Sequence, residues 1–406
     1  MRVFLSCLVC RIVTFVLHKL GRGATSMPGK VALKVKRNVL KDLSKNTKVI
    51  VVTGTNGKTT SCRILEEGLK KAGKSYFINK SGANLITGVT ASFIMNSTVT
   101  GKCKKDYAII ECDENAFKEV SRYIHCDVIL VTNVFRDQLD RYGEVTHTLN
   151  AIKESVKNLP NAIVCLDADC SLTYSMSKEI PNKIITFGVN VPFDKNAKAP
   201  EISDAKYCIF CKHEYDYTYH TYGHLGGFVC NNCGYKRPQP DFAVESVEEM
   251  KNDHSVVVAN LNGDKNIIKV NIGGAYNIYN AIGCAAALTA LGIEQKIIID
   301  AIENFNGAFG RMEHFKAGNN TVNLILVKNP AGFSQTMNFL KSIDDDFTLI
   351  LSLNDNAADG RDISWIWDVD FSGIFDKPNV KELYVTGKRC YDMAVRVKYE
   401  GRKSQN

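Results

Sequence analysis

Apolar and polar positions change period along the chain in a repeating way. The β-branched run KVIVVT (48–53) leads into the glycine-containing turn TGTNGKTT, and the segment after it places Leu65 and Leu69 four apart, the spacing of one helix face. Strand, loop and helix in that order open an α/β unit. Three more apolar runs end in polar residues: DYAIIECDE (106–114), CDVILVTNV (126–134) and NAIVCLDAD (161–169). They predict a mostly parallel, doubly wound sheet whose ligands gather at the C-terminal ends of the strands. Residues 201–237 break the rhythm with two C-x-x-C pairs, tyrosines and glycines, and read as an inserted module. Alternating runs resume at 255–272, and an alanine-rich helix is expected over 276–293. The apolar run at 321–330 is expected to start a second α/β unit, continued at 347–356 and 379–388. The organisation expected is an N-terminal helical and linker segment (1–40), a central domain (41–315) carrying an insert (205–237), and a C-terminal α/β domain (316–406).

A length of 406 residues exceeds one ordinary core. Hydrophobic content of 45% and charged content of 23% are those of a globular protein. The net charge of +8 reads as a mild excess spread through the chain, suited to an anionic substrate, membrane surface or nucleic acid. No nucleic-acid-reading signature accompanies it. Of fourteen cysteines, ten are scattered, and Cys112, Cys126 and Cys165 sit in strand-like runs as small buried hydrophobes. A disulfide framework is not indicated, and a reducing cytoplasm is expected. Residues 1–20 are apolar but interrupted by Arg11, too short to span a membrane and unlike a signal peptide. A helix packed on the body is expected there. A helix lying on the membrane surface is the alternative, which matters if the substrate carries a lipid.

The turn Gly54, Thr55, Asn56, Gly57, Lys58, Thr59, Thr60 has the make-up of a phosphate loop. Backbone N–H groups and a helix N-terminus surround phosphate oxygens, Lys58 offers a mobile charge to the β- and γ-phosphates, and Thr59 offers a hydroxyl to Mg²⁺. Val52 stands where the strict pattern has glycine, so the loop is a variant. Of the acids ending the next strand, Glu111, Asp113 and Glu114, Glu111 is the candidate Mg²⁺ ligand. Their alternative roles are a solvated strand end or a helix cap.

Cys208-x2-Cys211 and Cys230-x2-Cys233 can place four thiolates tetrahedrally around zinc, with Gly234 suiting the tight turn. A redox C-x-x-C would not need a second pair. His213, His220 and His224 lie between the pairs, but four cysteines complete the ligand set, so these histidines read as surface or turn residues.

TGTNGKTTS (53–61) resembles the ATP loop of the Mur ligases and folylpolyglutamate synthases. TNVFRDQLDRYGE (132–144), GGAYNIYNAIGCAAA (273–287) and FGRMEHF (309–315) resemble the same group's other motifs, in the same order. GRGATSMPGKVALK (21–34), the four-cysteine insert and NDNAADGRDISWIWDVDF (354–371) are similar to the branch of the Mur ligase family that amidates lipid II. That resemblance implies a Mur-ligase-like fold, a GatD-like glutaminase partner in a heterodimer, and ATP, Mg²⁺ and Zn²⁺. It also implies phosphorylation of the α-carboxylate of D-glutamate in the stem peptide, followed by attack of ammonia on the acyl phosphate. By residue it implies phosphate and Mg²⁺ roles for Lys58, Thr59 and Glu111, a nucleotide-base contact for Asn277 with Asn280 supporting the helix, and an ATP contact for Arg311. Asp355 would complete the partner's Cys–His pair, with Asp359 and Asp362 as alternatives and a turn-forming aspartate as the plain reading.

The chain departs from the family at Gln138, where histidine is usual, which bears on a second metal site, and it shows no clear counterpart of the modified lysine. KNPAGF (328–333) replaces the stretch that positions an incoming amino acid, a loss that suits ammonia. About 50 residues precede the loop, expected to be too few for a full UDP-binding domain. The rival readings are an amino-acid-adding ligase or polyglutamate synthase working without a partner, a scaffold for a glutaminase, and nucleic-acid binding through the ribbon.

Overall fold

The computed structural model describes residues 1–21, 25–79, 82–136, 145–193, 204–251, 253–305, 312–341, 343–356 and 359–401. Its strands, in chain order, begin with β1 (Lys48–Thr53), β2 (Tyr76–Ile78), β3 (Tyr107–Glu111), β4 (Val128–Val131), β5 (Ile163–Asp167) and β6 (Ile184–Val189). The insert contributes the hairpin β7 (Asp216–His220) and β8 (Gly226–Val229), and β9 (Phe242–Met250), β10 (Ser255–Leu261) and β11 (Asp264–Val270) follow. All but the hairpin form one nine-stranded sheet in the order β11-β10-β9-β6-β5-β4-β1-β3-β2.

Pairing is parallel from β2 across to β9. It turns antiparallel for β9, β10 and β11. Burial follows the pairing. After Lys48 every residue of β1 is buried, as a strand covered by helices on both faces must be. Alternate residues of β10 are buried, because one face of this edge is wet. The expected doubly wound sheet is present, and the alternating runs at 255–272 form its antiparallel extension.

The helix Lys58–Lys71 packs beside the helix Ala275–Ala290, where Gly68 lets Leu288 close in. The second helix sits on the sheet through Gly283, whose added Cβ would lie 3.0 Å from Phe187 and 3.3 Å from Leu130. The N-terminal helix Arg2–Lys19 packs on the body as expected. Ser6 Oγ donates to Ala32 O at 2.8 Å, and Arg11 donates to Ile94 O at 3.1 Å. Gly29 of the helix Met27–Val35 sits directly against Thr87 O of the helix Ile86–Met95. Among the described residues no helix is long and apolar enough to cross a membrane.

Beyond the sheet, β12 (Met312–Ala317) and β13 (Asn320–Ile325) form an antiparallel hairpin. The run at 321–330 therefore returns along β12 rather than opening a parallel unit, because the tight turn around Gly318 reverses the chain. The parallel pair β14 (Phe347–Ser352) and β15 (Val380–Thr386) carries a separate apolar core that includes Phe333, Met337, Leu351, Phe371 and Met393.

Replacing Gly283 with Val overpacks the seat on Phe187 and Leu130. It should lower the stability of the central domain by about 1–3 kcal/mol, read as a lower thermal midpoint. An unchanged midpoint would contradict this packing.

Candidate active site and thiolate cluster

β1 delivers the chain into the loop with Gly54 at φ +120° and Gly57 at φ +87°. A Cβ on Gly54 would lie 2.4 Å from Thr132 Oγ1, and one on Gly57 would lie 2.1 Å from Asn280 Oδ1. Both positions thus require glycine for conformation and for space. Gly57 is the N-cap of the helix Lys58–Lys71, so that helix's first-turn N–H groups and positive end open into the loop.

Residues after β4 hold the loop from the other side. Asn133 Oδ1 accepts from Asn56 N–H at 3.0 Å, and Thr132 Oγ1 donates to Asn56 O at 2.7 Å. Thr55 Oγ1 donates to Phe135 O at 3.1 Å and accepts from Phe135 N–H at 3.0 Å. Thr59 Oγ1 donates to Glu111 Oε1 at 2.9 Å, bringing together two hard oxygen donors of the kind Mg²⁺ takes. Thr60 is half-buried in the same first turn. Asp113 instead caps the helix Glu114–Val120, accepting from Asn115 N–H at 3.1 Å and Ala116 N–H at 3.3 Å.

Lys58, expected to offer a mobile charge to phosphate, is held by the protein's own groups. It is 6% exposed, and its ammonium donates to Gly54 O, to Thr55 O at 3.2 Å and to Glu114 Oε1 at 2.7 Å. Burial pushes the Glu114 carboxyl up from its usual range, and the Lys58 charge opposes that rise. Glu114 was one of three adjacent acids in the sequence, and only its burial singles it out as the partner of Lys58.

Asn277 and Asn280 are both buried on the helix Ala275–Ala290. Asn280 Nδ2 donates to Asn277 Oδ1 at 2.9 Å, and Asn277 Nδ2 donates to Gly273 O at 2.6 Å. Asn280 is the one that abuts Gly57. Asn329 of KNPAGF is 1% exposed, and its Nδ2 donates to Asn56 Oδ1 at 2.9 Å. Arg136 pairs with Asp368 at 3.1 Å. The C-terminal unit thus touches the loop through a stretch that the sequence had marked mainly by what it lacked. Arg311 and Gln138 lie outside the described residues.

Asp355 follows β14, is half-buried and pairs with Arg389 at 3.3 Å. Asp359 Oδ2 accepts from Asn356 Nδ2 at 2.8 Å, and Asp362 Oδ1 accepts from Ser364 N–H at 2.9 Å.

The sulfur atoms of Cys208, Cys211, Cys230 and Cys233 all lie within 4.8 Å of one another. The separations Cys208–Cys233 and Cys211–Cys230 are 3.6 and 3.4 Å. A tetrahedron with Zn–S bonds of about 2.3 Å has edges of about 3.8 Å, so the four thiols fit zinc. The two knuckles are built alike. Lys212 N–H donates to Cys208 O at 2.9 Å, and Gly234 N–H donates to Cys230 O at 2.9 Å. Lys212 and Gly234 both take left-handed backbone, at φ 63° and 75°. His213 is exposed and His220 half-buried. His224, read as a surface or turn residue, is instead buried against Phe135, with ring centroids 4.5 Å apart. Burial pushes its imidazole down to about 4.

A buried polar centre not visible in the sequence joins this insert to the sheet. Asp169 accepts from Arg237 Nε at 2.6 Å, Tyr279 OH at 2.5 Å and Val189 N–H at 2.8 Å. Burial pushes the carboxyls of Asp167 and Asp169 up, and Arg237 opposes the rise.

Residues 52–233 match the Mur ligase middle domain, and residues 326–406 match the MurT ligase C-terminal domain. The chain is 36% identical over 401 residues to the lipid II isoglutaminyl synthase (glutamine-hydrolyzing) subunit MurT of Streptococcus pneumoniae, covering 99% of this chain and 88% of that protein. The chain belongs to the MurT branch of the Mur ligase family. Its Staphylococcus aureus relative of the same description is 33% identical over 93% of this chain and 83% of its own length. Among solved structures, a pseudomurein peptide ligase type C from Methanothermus fervidus superposes with a TM-score of 0.66 at 23% identity, covering 89% of this chain and 70% of that one. MurF from Acinetobacter baumannii gives 0.63 at 15% identity, covering 91% and 74%. At those identities the likeness is one of fold. This Mur ligase is an ATP-dependent enzyme with a four-cysteine insertion in its ATP-binding domain.

Glu114→Gln leaves Lys58 buried without its counter-charge and should cost about 3–5 kcal/mol of stability. Lys58→Met in the same chain should return much of that loss in a double-mutant cycle of thermal midpoints. Additive effects would contradict the pairing. Purified protein should carry a single zinc ion by elemental analysis, and Cys208→Ser with Cys230→Ser should remove it. Full zinc retention in that variant would refute the ligand set.

Proposed function

We propose that the chain is the synthetase half of an amidotransferase that converts the α-carboxylate of D-glutamate in the lipid II stem peptide to the amide of D-isoglutamine. The observation that carries this reading is the 36% identity over 99% of the chain to a lipid II isoglutaminyl synthase subunit. The gathering of Lys58, Thr59 and Glu111 at one loop supports it.

A carboxylate is a poor electrophile for ammonia. In the proposed reaction its oxygen attacks the γ-phosphorus of ATP, the bond to ADP breaks, and an acyl phosphate forms. Ammonia then adds to the carbonyl carbon, inorganic phosphate leaves, and a proton is lost from nitrogen. N–H groups in the first turn of the helix Lys58–Lys71 bind phosphate oxygens, and Lys58 offsets charge on the transferring group after exchanging its loop carbonyls for phosphate. Thr59 and Glu111 would hold Mg²⁺, which would neutralise phosphate charge. Asn280 fixes the loop through Gly57, Asn277 would contact the nucleotide base region, and Arg311 would reach ATP. Asn329, reaching the loop from the C-terminal unit, supports a site that is walled against water, which would hydrolyse the intermediate.

Ammonia would come from a glutaminase subunit. Asp355 at the end of β14 would orient and charge-stabilise that subunit's catalytic histidine. Asp355 is half-buried and lies 3.3 Å from Arg389.

Reconstitution with lipid II, ATP and either ammonia or glutamine plus the glutaminase separates the steps by product mass. Lys58→Ala should lower amidation at least about 10²-fold with both nitrogen sources. Asp355→Asn should cut glutamine-driven amidation while ammonia-driven amidation continues. Intact amidation in Lys58→Ala would sink the mechanism. Unchanged glutamine use in Asp355→Asn would remove that residue from the shared site. Addition of an amino acid without a glutaminase would favour an ordinary amino-acid ligase.

A further inference from the structure

The helix Arg2–Lys19 inverts the usual layout of a surface helix. Its inward stripe is mostly small or polar: Ser6, Cys7, Cys10 and Thr14, completed by Leu17. Its outward stripe is large and apolar. Phe4, Leu5, Leu8, Ile12, Phe15 and Val16 are 36% to 61% exposed and share one face at helical spacing. Leu20, 64% exposed, continues it. With its inner face already packed on the body, the helix leaves a stripe of large apolar side chains uncovered.

Charge identifies the cover. Residues 1–45 hold ten Lys and Arg, and Asp42 is their only acid. That +9 exceeds the +8 of the whole chain, so the excess is concentrated here rather than spread along the sequence. Arg2, Lys19, Lys30, Lys34 and Lys41 are exposed. Lys19 Nζ lies 4.9 Å from the Phe15 ring centroid, placing a cation at the edge of the apolar stripe. A second copy of the chain would bring the same positive charge to the contact. A bilayer with anionic headgroups offers both an apolar interior and the opposite charge. The helix has 18 residues and does not qualify as a membrane span, so it would lie flat.

We propose that the outward stripe of this helix seats the chain on an anionic membrane surface. The docking stands on the helix itself. Its use, to bring the loop to a carboxylate carried by a membrane lipid, rests on the function proposed above.

The test is flotation of the full chain with phosphatidylglycerol/phosphatidylethanolamine vesicles and with pure phosphatidylcholine vesicles. Wild type should float with the anionic vesicles and less with the neutral ones, and high salt should weaken binding. Ile12→Glu with Phe15→Glu should reduce partitioning about tenfold or more, with unchanged thermal midpoint and ATP binding. Wild type left in solution, or the variant floating equally well, would overturn the proposal. So would a variant that floats normally but turns a dimer into a monomer in light scattering, or one that loses the glutaminase subunit, since the stripe would then be a protein interface. In the amidation assay the variant should be impaired on vesicle-borne lipid II and normal on a water-soluble stem-peptide substrate. Vesicle binding without amidation of either substrate by wild type would leave the docking standing and refute the function.

Discussion

Asn280 presses its amide oxygen onto Gly57 at a point where no side chain fits, and much of the central domain serves to keep that contact. The parallel sheet ends β1 and β4 side by side, so the loop at 53–60 and the residues at 132–135 can exchange hydrogen bonds. The helix carrying Asn280 is pinned to the sheet at Gly283 and to its neighbour helix at Gly68. The buried Lys58–Glu114 pair ties the loop to the helix Glu114–Val120. A buried ammonium needs both its counter-charge and its carbonyls.

The four-cysteine insert is fastened to this arrangement on two sides. Tyr222 and His224 lie against Phe135, which bonds Thr55 in the loop. Arg237, where the insert returns to the sheet, meets Asp169, which also holds Tyr279 on the helix of Asn277 and Asn280. Thr221 and Tyr279 share a further hydrogen bond of 2.7 Å. The insert therefore contributes packing to the walls of the nucleotide site as well as a self-contained knuckle pair.

What the sequence made legible was local in character. The strand–loop–helix around Lys58, the apolar strands ending at Glu111 and Asp167, and the two C-x-x-C knuckles each lie within a short window. In each case the residue type and spacing determine the chemistry. What it concealed depended on distant partners. Nothing local separates Glu114 from Asp113, yet one is buried on Lys58 and the other caps a helix. Asn329 reaches Asn56 across 273 positions of sequence. The Asp169 centre joins residues from four separate regions. The run at 321–330 has the composition of a core strand, but the reversal at Gly318 gives it to a hairpin. His224 looked like a turn residue because its burial comes from Phe135, far upstream.

The central claim is that ATP at this loop activates a substrate carboxylate as its acyl phosphate. It is tested most directly by carrying ¹⁸O in the α-carboxylate of the D-glutamate residue and analysing the phosphate released during amidation. The account predicts ADP and inorganic phosphate containing one ¹⁸O atom per turnover, because the bridging oxygen leaves with phosphorus. Unlabelled phosphate, or AMP with labelled product, would contradict it.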